Sequence, residues 1–321
     1  HKKESTMKRK GMSFALPLRF PKKKGKRIFE VDFLRGVAIF LMVIIHACYS
    51  LGYGIDGFFV LPKDCPEWIK QSQGFFKFIF FAITRPDGAK SMVFSPYGYN
   101  LNTNLFCLEA FFAGAFMFLS GISCSFSQSN AKRAIGLAYV SALMTILFET
   151  LSAFMGINFH IWLGILHSLA FALIVYSIFD HFFQEWWQHL LFVLPLTAIN
   201  FFTMLKAYPN NKMLILNPYA AKNAFDWFSN VSGLLVGRFR YGDDYFPPFL
   251  ITLVVFLGGI VGKTLYKNKK SLLPEDFPTA WAKPIIFIGK HTLIIYLSHQ
   301  VIIYIILALV LLPMGARIRG F

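Results

Sequence analysis

Charged residues are scarce in this sequence, and long apolar runs take their place. Only 15% of its 321 residues are Asp, Glu, Lys or Arg, whereas 56% are hydrophobic, and the mean hydropathy is +0.53. Soluble domains carry about 25% charged residues, since much of their surface faces water. The composition therefore excludes a soluble globular protein and indicates a multi-pass membrane protein.

Several motifs of nucleotide and metal enzymes are also missing. The sequence has no GxxxxGK[ST] P-loop, no Rossmann glycine fingerprint after a strand, no GxSxG elbow and no HExxH pair. Its four cysteines form no CxxC pair and no other metal-ligand spacing, so we expect no metal site. Cys65 and Cys107 could form a disulfide if both face an oxidising compartment, or they are two ordinary thiols. ATP-driven transport, dinucleotide redox chemistry and zinc hydrolysis lack support.

Acidic residues are half as numerous as basic ones, which gives a formal net charge of +16. Residues 1–27 alone hold 11 Lys or Arg against one Glu. A polybasic segment beside a membrane helix favours the anionic lipids of the cytoplasmic leaflet over nucleic acid as its partner. We therefore expect a cytoplasmic N-terminal segment on a plasma-membrane protein. Residues 1–6 resemble a purification-tag scar, and the first apolar run is too long for a cleavable signal peptide.

Seven apolar stretches have the length, about 20 residues, that an α-helix needs to cross a bilayer. They lie at about 31–51, 104–126, 134–155, 160–179, 189–206, 248–266 and 284–312. Residues 74–83 are apolar but too short, so we predict an interfacial or re-entrant helix there, and the last stretch is long enough to tilt or break near Gly289. The predicted fold class is an all-α polytopic transmembrane bundle of about seven spans, or eight. It forms one domain over 28–312 with a tail at 313–321.

The first span carries three ionisable residues. Within RIFEVDFLRGVAIFLMVIIHACYSLG, residues 27–52, Asp32 and Arg35 lie near the start and His46 lies near the end. Ionisable groups are costly inside hydrocarbon, so this helix is a candidate functional site. Arg35 and His46 share a face and lie roughly 16 Å apart along the axis. A cation near one membrane surface and an imidazole at depth suit a reaction whose two substrates arrive from opposite sides.

Five stretches resemble one family of membrane acyltransferases. The first is a D-x-x-R-G pattern beginning at Asp32, with His46 eleven residues after the Arg. The others, in order, are FFAGAFMFLSGIS (111–123), GILHSL (164–169), DDYFPPFLITLVVFLGGIVGKTLY (243–266) and FIGKHTLIIYLSHQVIIY (287–304). Together they are similar to short bacterial members of the heparan-α-glucosaminide N-acetyltransferase catalytic-domain family, which is related to the membrane acyltransferase family three. The resemblance implies transfer of an acetyl group from cytoplasmic acetyl-CoA to an amine or hydroxyl of an extracytoplasmic glycan.

A transporter is the competing interpretation. A membrane carrier for a small anion or a lipid-linked sugar could use Arg35 and His46 as a substrate and proton relay. Such transporters often consist of two related halves with interrupted spans, and we find no internal repeat of that kind. The acyltransferase is therefore the favoured hypothesis. We also expect membrane lipids as partners, and the sequence leaves a homodimer open.

Three histidines are the catalytic candidates. Helix rise brings His46, His167 and His299 to a similar depth in the outer half of the membrane. An imidazole could take a proton from the incoming amine or hydroxyl, or could itself be acylated, or could simply hydrogen-bond within the bundle. The histidine that a human relative carries before the second span has no counterpart here, since residues 95–104 read SPYGYNLNTN. We therefore favour His46. Three further histidines near membrane ends are interpreted as structural: His181, His189 and His291.

Basic and polar residues are candidates for binding the two substrates. Arg35 suits the phosphates of CoA because a guanidinium binds phosphate bidentately, and Asp32 could orient it or form a structural ion pair with it. Further cofactor-binding candidates, unless they are ordinary positive-inside charges, are Lys132, Arg133 and Lys290. We expect segments 52–103 and 207–246 outside, where the acceptor would enter. The acceptor-binding candidates are Glu109, Asn102, Asn104, Tyr296, Gln300, Asp243 and Asp244, with Glu149 as a further buried carboxylate.

Overall fold

The structure, a computed structural model, describes most of the chain. The described residues are 28–84, 108–127, 129–156, 160–207, 214–215, 222–241, 244–267, 270–274 and 279–319. Four residues that the sequence singled out lie outside this set: Asn102, Asn104, Cys107 and Asp243. Glu109 lies in a helix, and its side chain is also outside the described part.

The described chain is almost entirely helical. Its α-helices are α1 (Phe29–Tyr49), α2 (Ile55–Phe58), α3 (Glu67–Thr84), α4 (Leu108–Cys124), α5 (Asn130–Met155), α6 (Ile165–Phe182), α7 (Trp186–Ala207), α8 (Ala224–Val236), α9 (Pro248–Leu265), α10 (Lys283–Lys290) and α11 (Thr292–Leu311). A π-helix, Ser50–Gly54, joins α1 to α2, and 3₁₀ turns lie at Ala280–Ala282 and Leu312–Met314. Strand β1 (Phe59–Val60) pairs antiparallel with β4 (Arg317–Ile318), and β2 (Leu214–Ile215) pairs parallel with β3 (Phe239–Arg240).

Local sequence explains where several helices begin and end. Pro248 occupies the first turn of α9, where its missing N–H has no partner to lose. Asn223 caps α8, since its side chain accepts from the Asp226 N–H at 2.8 Å. Gly156 ends α5 at φ 62°, in the left-handed region that favours glycine at a helix C-terminus.

Five helical segments of the described chain are long and apolar enough to cross a membrane. They are Phe29–Phe58, Asn130–Phe154, Ile165–Phe182, Pro248–Leu265 and Thr292–Met314. Helices α4 and α7 pack in the same bundle, against α9. The predicted all-α membrane helix bundle is therefore confirmed. Seven described helices, α1, α4, α5, α6, α7, α9 and α11, follow the order of the seven predicted spans.

The helices run between two ends of the bundle. One, here called the basic end, is named for its cations: Lys132, Arg133, Lys263 and Lys290. Asn130 at the start of α5 donates to the Cys124 carbonyl at the end of α4, at 2.9 Å. Lys263 near the end of α9 lies 2.6 Å from Asp180 near the end of α6. The opposite, far end holds α2, α3, α8 and the starts of α6 and α9.

Helix α9 forms the centre of the bundle, with α4, α6 and α7 packed around it. Tyr176, Val255 and Phe256 are fully buried at these contacts. A Cβ on Gly258 would overlap the Phe118 carbonyl, so the absence of a side chain lets α4 and α9 approach backbone to backbone. Small residues at helix crossings are a common means of association in membranes.

The structure refines the sequence prediction at three places. The first span continues through the π-helix and α2 to Phe58. The short helix predicted at 74–83 begins earlier, at Glu67, and α8 lies in segment 207–246, where the sequence predicted no helix. Two expectations agree with the structure. The last stretch breaks at His291, near Gly289, and Cys65 has a free, buried thiol.

Candidate active site

A pair of histidines joins α1 to α11 within the bundle. His46 Nδ1 lies 2.9 Å from His299 Nε2, and the two rings are nearly parallel, with an interplanar angle of 14°. His299 is buried, with 6% of its surface exposed, and its Nδ1 lies 2.6 Å from the Tyr296 carbonyl oxygen. Both ring nitrogens of His299 are therefore engaged, one with the backbone and one with His46.

These partners determine which nitrogens carry protons. A carbonyl oxygen only accepts, so His299 Nδ1 must donate to Tyr296. In neutral His299, Nε2 then has a lone pair that accepts from the Nδ1–H of His46. Neutral His46 consequently keeps a lone pair on Nε2. The arrangement can hold His46 in the tautomer that a general base requires.

Further polar side chains continue from this pair toward the far end. Ser50 is fully buried and donates to Gln300 Oε1 at 3.1 Å. The Tyr304 hydroxyl is close to Ser50 and lies where a side chain on Gly54 would be. Ser50 begins the π-helix, a backbone form that is frequent at functional sites. The predicted face of Tyr296, His299 and Gln300 thus meets polar groups of the first span.

Two of the predicted cofactor-binding cations lie within electrostatic range of Cys124 at the basic end. The Cys124 thiol is buried, and Arg133, Arg35 and the carboxylate of Asp180 all influence it electrostatically. The Arg35 guanidinium lies 5.8 Å from the centre of the Phe116 ring. Arg133 reaches Asn130 Oδ1 at 3.4 Å. Guanidinium groups of α1 and α5 therefore act on the same part of α4.

The remaining candidates at the basic end differ from these two half-buried arginines in burial. Lys132 and Lys290 are exposed, at the start of α5 and the end of α10. Asp32 is buried, with 8% of its surface exposed, and its backbone carbonyl packs against Gly289. Asp32 thus lies where α10 crosses the first turns of α1.

Tyr296 and Asp244 link the histidine pair to the far end. The Tyr296 ring centre lies 5.6 Å from that of His299. Asp244 is close enough to Tyr296 for an electrostatic interaction, and its carboxylate packs against Gly164, just before α6. These two predicted acceptor-binding residues therefore share one side of the site.

His167 belongs to a different part of the bundle. Its Nε2 lies 2.8 Å from the Thr145 hydroxyl, which in turn donates to the Ile161 carbonyl at 2.8 Å. Because that hydroxyl proton is used, His167 Nε2 must be the donor to Thr145. Of the three histidines that the sequence placed at one depth, the structure brings His46 and His299 together, and it holds His167 between α5 and α6.

Sequence reasoning missed an ion cluster at the basic end. Asp180 Oδ1 lies 2.6 Å from Lys263 Nζ and 3.2 Å from His189 Nε2, which joins α6, α9 and α7. His189 is fully buried and also reaches the Phe183 carbonyl at 2.9 Å. The available signal was segment 180–188, which carries Asp180 and Glu185 and no Lys or Arg. Among the described residues, no group of three His, Cys, Asp or Glu side chains is placed to hold a metal ion.

Comparison with known protein families identifies the family of this chain. The family described as "Heparan-alpha-glucosaminide N-acetyltransferase, catalytic" matches residues 27–82 and 91–301. The chain belongs to this family. The resemblance drawn from the sequence is therefore confirmed. Searches of the curated proteins and of the solved structures found no match.

Membership of the heparan-α-glucosaminide N-acetyltransferase family implies an acetyltransferase that is embedded in a membrane. The matched ranges include Arg35, His46 and His299, so the cation at the basic end and the histidine pair lie within the catalytic domain. A transporter is disfavoured, because the family is defined by acetyl transfer.

Proposed function

We propose that the protein transfers an acetyl group from acetyl-CoA, bound at the basic end, to an amine or hydroxyl of a glycan that enters from the far end. The observation that carries the proposal is the hydrogen bond between His46 and His299. This bond leaves a basic nitrogen, His46 Nε2, on a span that has Arg35 nearer the basic end. The family supports the reaction type, and the geometry of the histidine pair supports His46 as the base.

His46 acts as the general base in this mechanism. Its Nε2 takes the proton from the acceptor's N–H or O–H while that nitrogen or oxygen bonds to the acetyl carbonyl carbon. The bond from this carbon to the sulfur of CoA breaks, and His46 returns the proton to the departing thiolate. His299 stabilises the transient imidazolium, since its Nε2 still accepts from the Nδ1–H of His46.

Arg35 and Arg133 are the residues we assign to the phosphates of CoA. Each guanidinium can bind phosphate through two parallel N–H donors. Both lie within electrostatic range of Cys124, although they belong to different helices, and this supports an anion-binding site at the basic end. Lys132 and Lys290, which are exposed, contribute to the local positive potential that attracts the donor.

The basic end faces the cytoplasm in this proposal, and the protein resides in the plasma membrane. Loops rich in Lys and Arg remain on the cytoplasmic side of a membrane. Segment 1–27, with 11 Lys or Arg, precedes α1 at this end, so the N-terminus is cytoplasmic. Tyr296, Gln300 and Asp244 then approach the acceptor from the outer side.

The test is acetyl transfer by His46→Ala and His46→Gln, measured as thiol release from acetyl-CoA with glucosamine as acceptor. A general base contributes about 10²–10⁴-fold, so both variants should lose at least about two orders of magnitude, or about 3 kcal/mol in the barrier. Binding of CoA, measured by calorimetry, should be retained. Near wild-type transfer by His46→Gln would remove His46 from the chemistry.

His291→Gln is the matched control. His291 is exposed at the break between α10 and α11, and its Nδ1 lies 2.9 Å from the Phe287 carbonyl. This variant should transfer acetyl at the wild-type rate. Protein incubated with acetyl-CoA alone should gain no acetyl group by intact mass, because our mechanism passes the group directly to the acceptor.

A further inference from the structure

Four side chains form a mixed aromatic and polar cluster at the far end. Glu149 Oε1 accepts from the indole N–H of Trp162 at 2.6 Å and lies 2.9 Å from His160 Nδ1. Tyr241 lies against both rings, nearly parallel to His160 and edge-on to Trp162, with the latter centroids 5.5 Å apart. The cluster joins the last turns of α5, the segment before α6 and the residue after β3.

The cluster is open rather than part of the core. About a third of the side-chain surface of Glu149 and of His160 is exposed, 34% and 33%, and 48% of Trp162 is exposed. A carboxylate offers about four lone-pair sites, and both hydrogen bonds described for Glu149 use Oε1. Among the described residues no hydrogen bond to Oε2 is found, so this oxygen has acceptor capacity beside the aromatic face of Trp162.

A short series of neighbouring residues links the cluster to the histidine pair. Tyr241 lies three residues before Asp244, whose carboxylate packs against Gly164, two residues after Trp162. Asp244 interacts electrostatically with Tyr296, whose ring centre is 5.6 Å from that of His299. The cluster thus lies at the outer end of the same path that leads to the proposed site of acetyl transfer.

We propose that Glu149, His160, Trp162 and Tyr241 form a carbohydrate subsite for the sugar ring that adjoins the acetyl-accepting sugar. Ligand sites combine an apolar or aromatic face with a few placed polar groups. The C–H face of a pyranose packs on the exposed indole, and a ring hydroxyl donates to Glu149. His160 and Tyr241 hold the indole and the carboxylate in position. This subsite rests on the proposed function, since it assumes a glycan acceptor.

The cluster has a competing structural explanation, which the test must exclude. Trp and Tyr are enriched where membrane helices meet water, simply as interfacial anchors. Trp227 provides the comparison, because it is 61% exposed on α8 at the same end and lies outside the cluster. If both tryptophans are only anchors, replacing either one should have a similar effect on sugar binding. A carbohydrate subsite predicts an effect for Trp162 alone.

The experiment titrates purified protein in detergent with glucosamine and with a β-linked glucosamine disaccharide, by calorimetry. Wild type should bind the disaccharide more tightly than the monosaccharide. Trp162→Ala should lose about tenfold in disaccharide affinity, about 1.4 kcal/mol, and should bind the monosaccharide unchanged. Glu149→Gln should shift affinity in the same direction, and Trp227→Ala should match wild type.

Several outcomes overturn the subsite. These are equal binding of the two sugars by wild type, no measurable binding of either, or a Trp162→Ala variant that binds the disaccharide as wild type does. A parallel loss for the monosaccharide also counts against it, because it indicates a general disturbance of the site. Thiol release from acetyl-CoA is measured in the same samples. If release is absent while the Trp162-dependent preference for the disaccharide persists, the subsite stands and the acetyl-transfer proposal fails.

Discussion

Gly289 of α10 rests on Gly36 of α1 with no side chain between the two backbones. A Cβ on Gly289 would overlap the Asp32 carbonyl and lie 3.0 Å from the Gly36 nitrogen, and a Cβ on Gly36 would overlap the Ile285 carbonyl. Both glycines are buried. The crossing fixes α10 against the first turns of α1, immediately before the chain enters α11, the helix that carries His299.

Gly289→Ala should therefore destabilise the protein. Overpacking a tight contact costs about 1–3 kcal/mol, and here the clashing atoms belong to backbone that cannot move aside cheaply. Thermal unfolding in detergent should show a lower midpoint, and acetyl transfer should fall because α11 shifts relative to α1. Gly136→Ala is the control, since a Cβ at that position in α5 meets no atom within 4 Å. Equal midpoints for the two variants would contradict the crossing.

Loss of either arginine near Cys124 should weaken binding of CoA. A hydrogen bond to a charged group contributes about 1.5–3 kcal/mol, so Arg133→Ala and Arg35→Ala should each lose about tenfold or more in affinity by calorimetry. Arg133→Lys should recover part of the loss, because it keeps the charge without the bidentate fork. Lys132→Ala, exposed on the same turn, should change affinity little. Unchanged affinity in both arginine variants would move the CoA site elsewhere.

The sequence was sufficient to predict the bundle because apolar length and charge are local properties. The depth of a residue along its own helix is also a local property, and it correctly suggested that His46 and His299 could meet. Depth does not determine which helices are neighbours, so the same reasoning grouped His167 with them. The structure shows His167 bonded to Thr145 of α5 instead.

Other features depend on contacts between residues far apart in sequence. The Asp180–Lys263 ion pair joins α6 to α9, which have the span α7 between them in sequence, and no spacing pattern predicts that the two residues pair. The sequence alone gives no sign that Ser50 has a specific partner, because its acceptor, Gln300, lies 250 residues later in the chain. Helix α8 lies in a segment whose Asn, Gly and aromatic content is typical of loops. Asn223 can be recognised as its N-cap only once the position of the helix is known.

Asp180→Asn should destabilise the basic end. Lys263 is only 16% exposed and would lose its carboxylate partner, as would the buried His189. Breaking a fully buried pair costs about 3–5 kcal/mol, and the partial exposure of Asp180, 28%, lowers our expectation to about 1–3 kcal/mol. Thermal unfolding measures the change, with exposed Glu185→Gln as the control.

A double variant separates a lost ion pair from a local packing defect. Replacing both charges of a buried pair by apolar groups of similar size is often nearly neutral. Asp180→Leu with Lys263→Met should therefore be more stable than Asp180→Asn alone. If the double variant is the less stable of the two, the ion pair is not the source of the destabilisation.

The two ends of the bundle should lie on opposite sides of the membrane. Lys63 is exposed beyond β1 at the far end, and Lys132 is exposed at the basic end. In a Cys107→Ser background, a membrane-impermeant maleimide should label Lys63→Cys in intact cells and Lys132→Cys only after permeabilisation. Cys48, Cys65 and Cys124 are buried and should stay unlabelled. The reverse pattern would reverse the proposed direction of acetyl transfer.

His299 should act as a positioning residue whose effect depends on pH. In the proposed mechanism, its Nε2 holds the proton of His46 on Nδ1, which keeps the lone pair of the base on His46 Nε2. His299→Leu removes this acceptor, so His46 can adopt the other tautomer, and transfer should fall by about 10²-fold. The KM for acetyl-CoA should not change, because His299 lies away from Arg35 and Arg133. His299→Gln still offers an amide oxygen to His46 and should recover part of kcat.

The pH–rate profile distinguishes this role from simple packing. Transfer needs neutral His46, so kcat/KM of the wild type should fall on the acid side as one proton binds. Removing the partner that stabilises the His46 imidazolium should displace that acid limb in His299→Leu, and His299→Gln should bring it back toward the wild-type position. A defect of packing alone would lower the rate equally at every pH. Such a parallel drop, together with no recovery in His299→Gln, would show that the 2.9 Å contact between His46 and His299 holds α1 and α11 together without serving the chemistry.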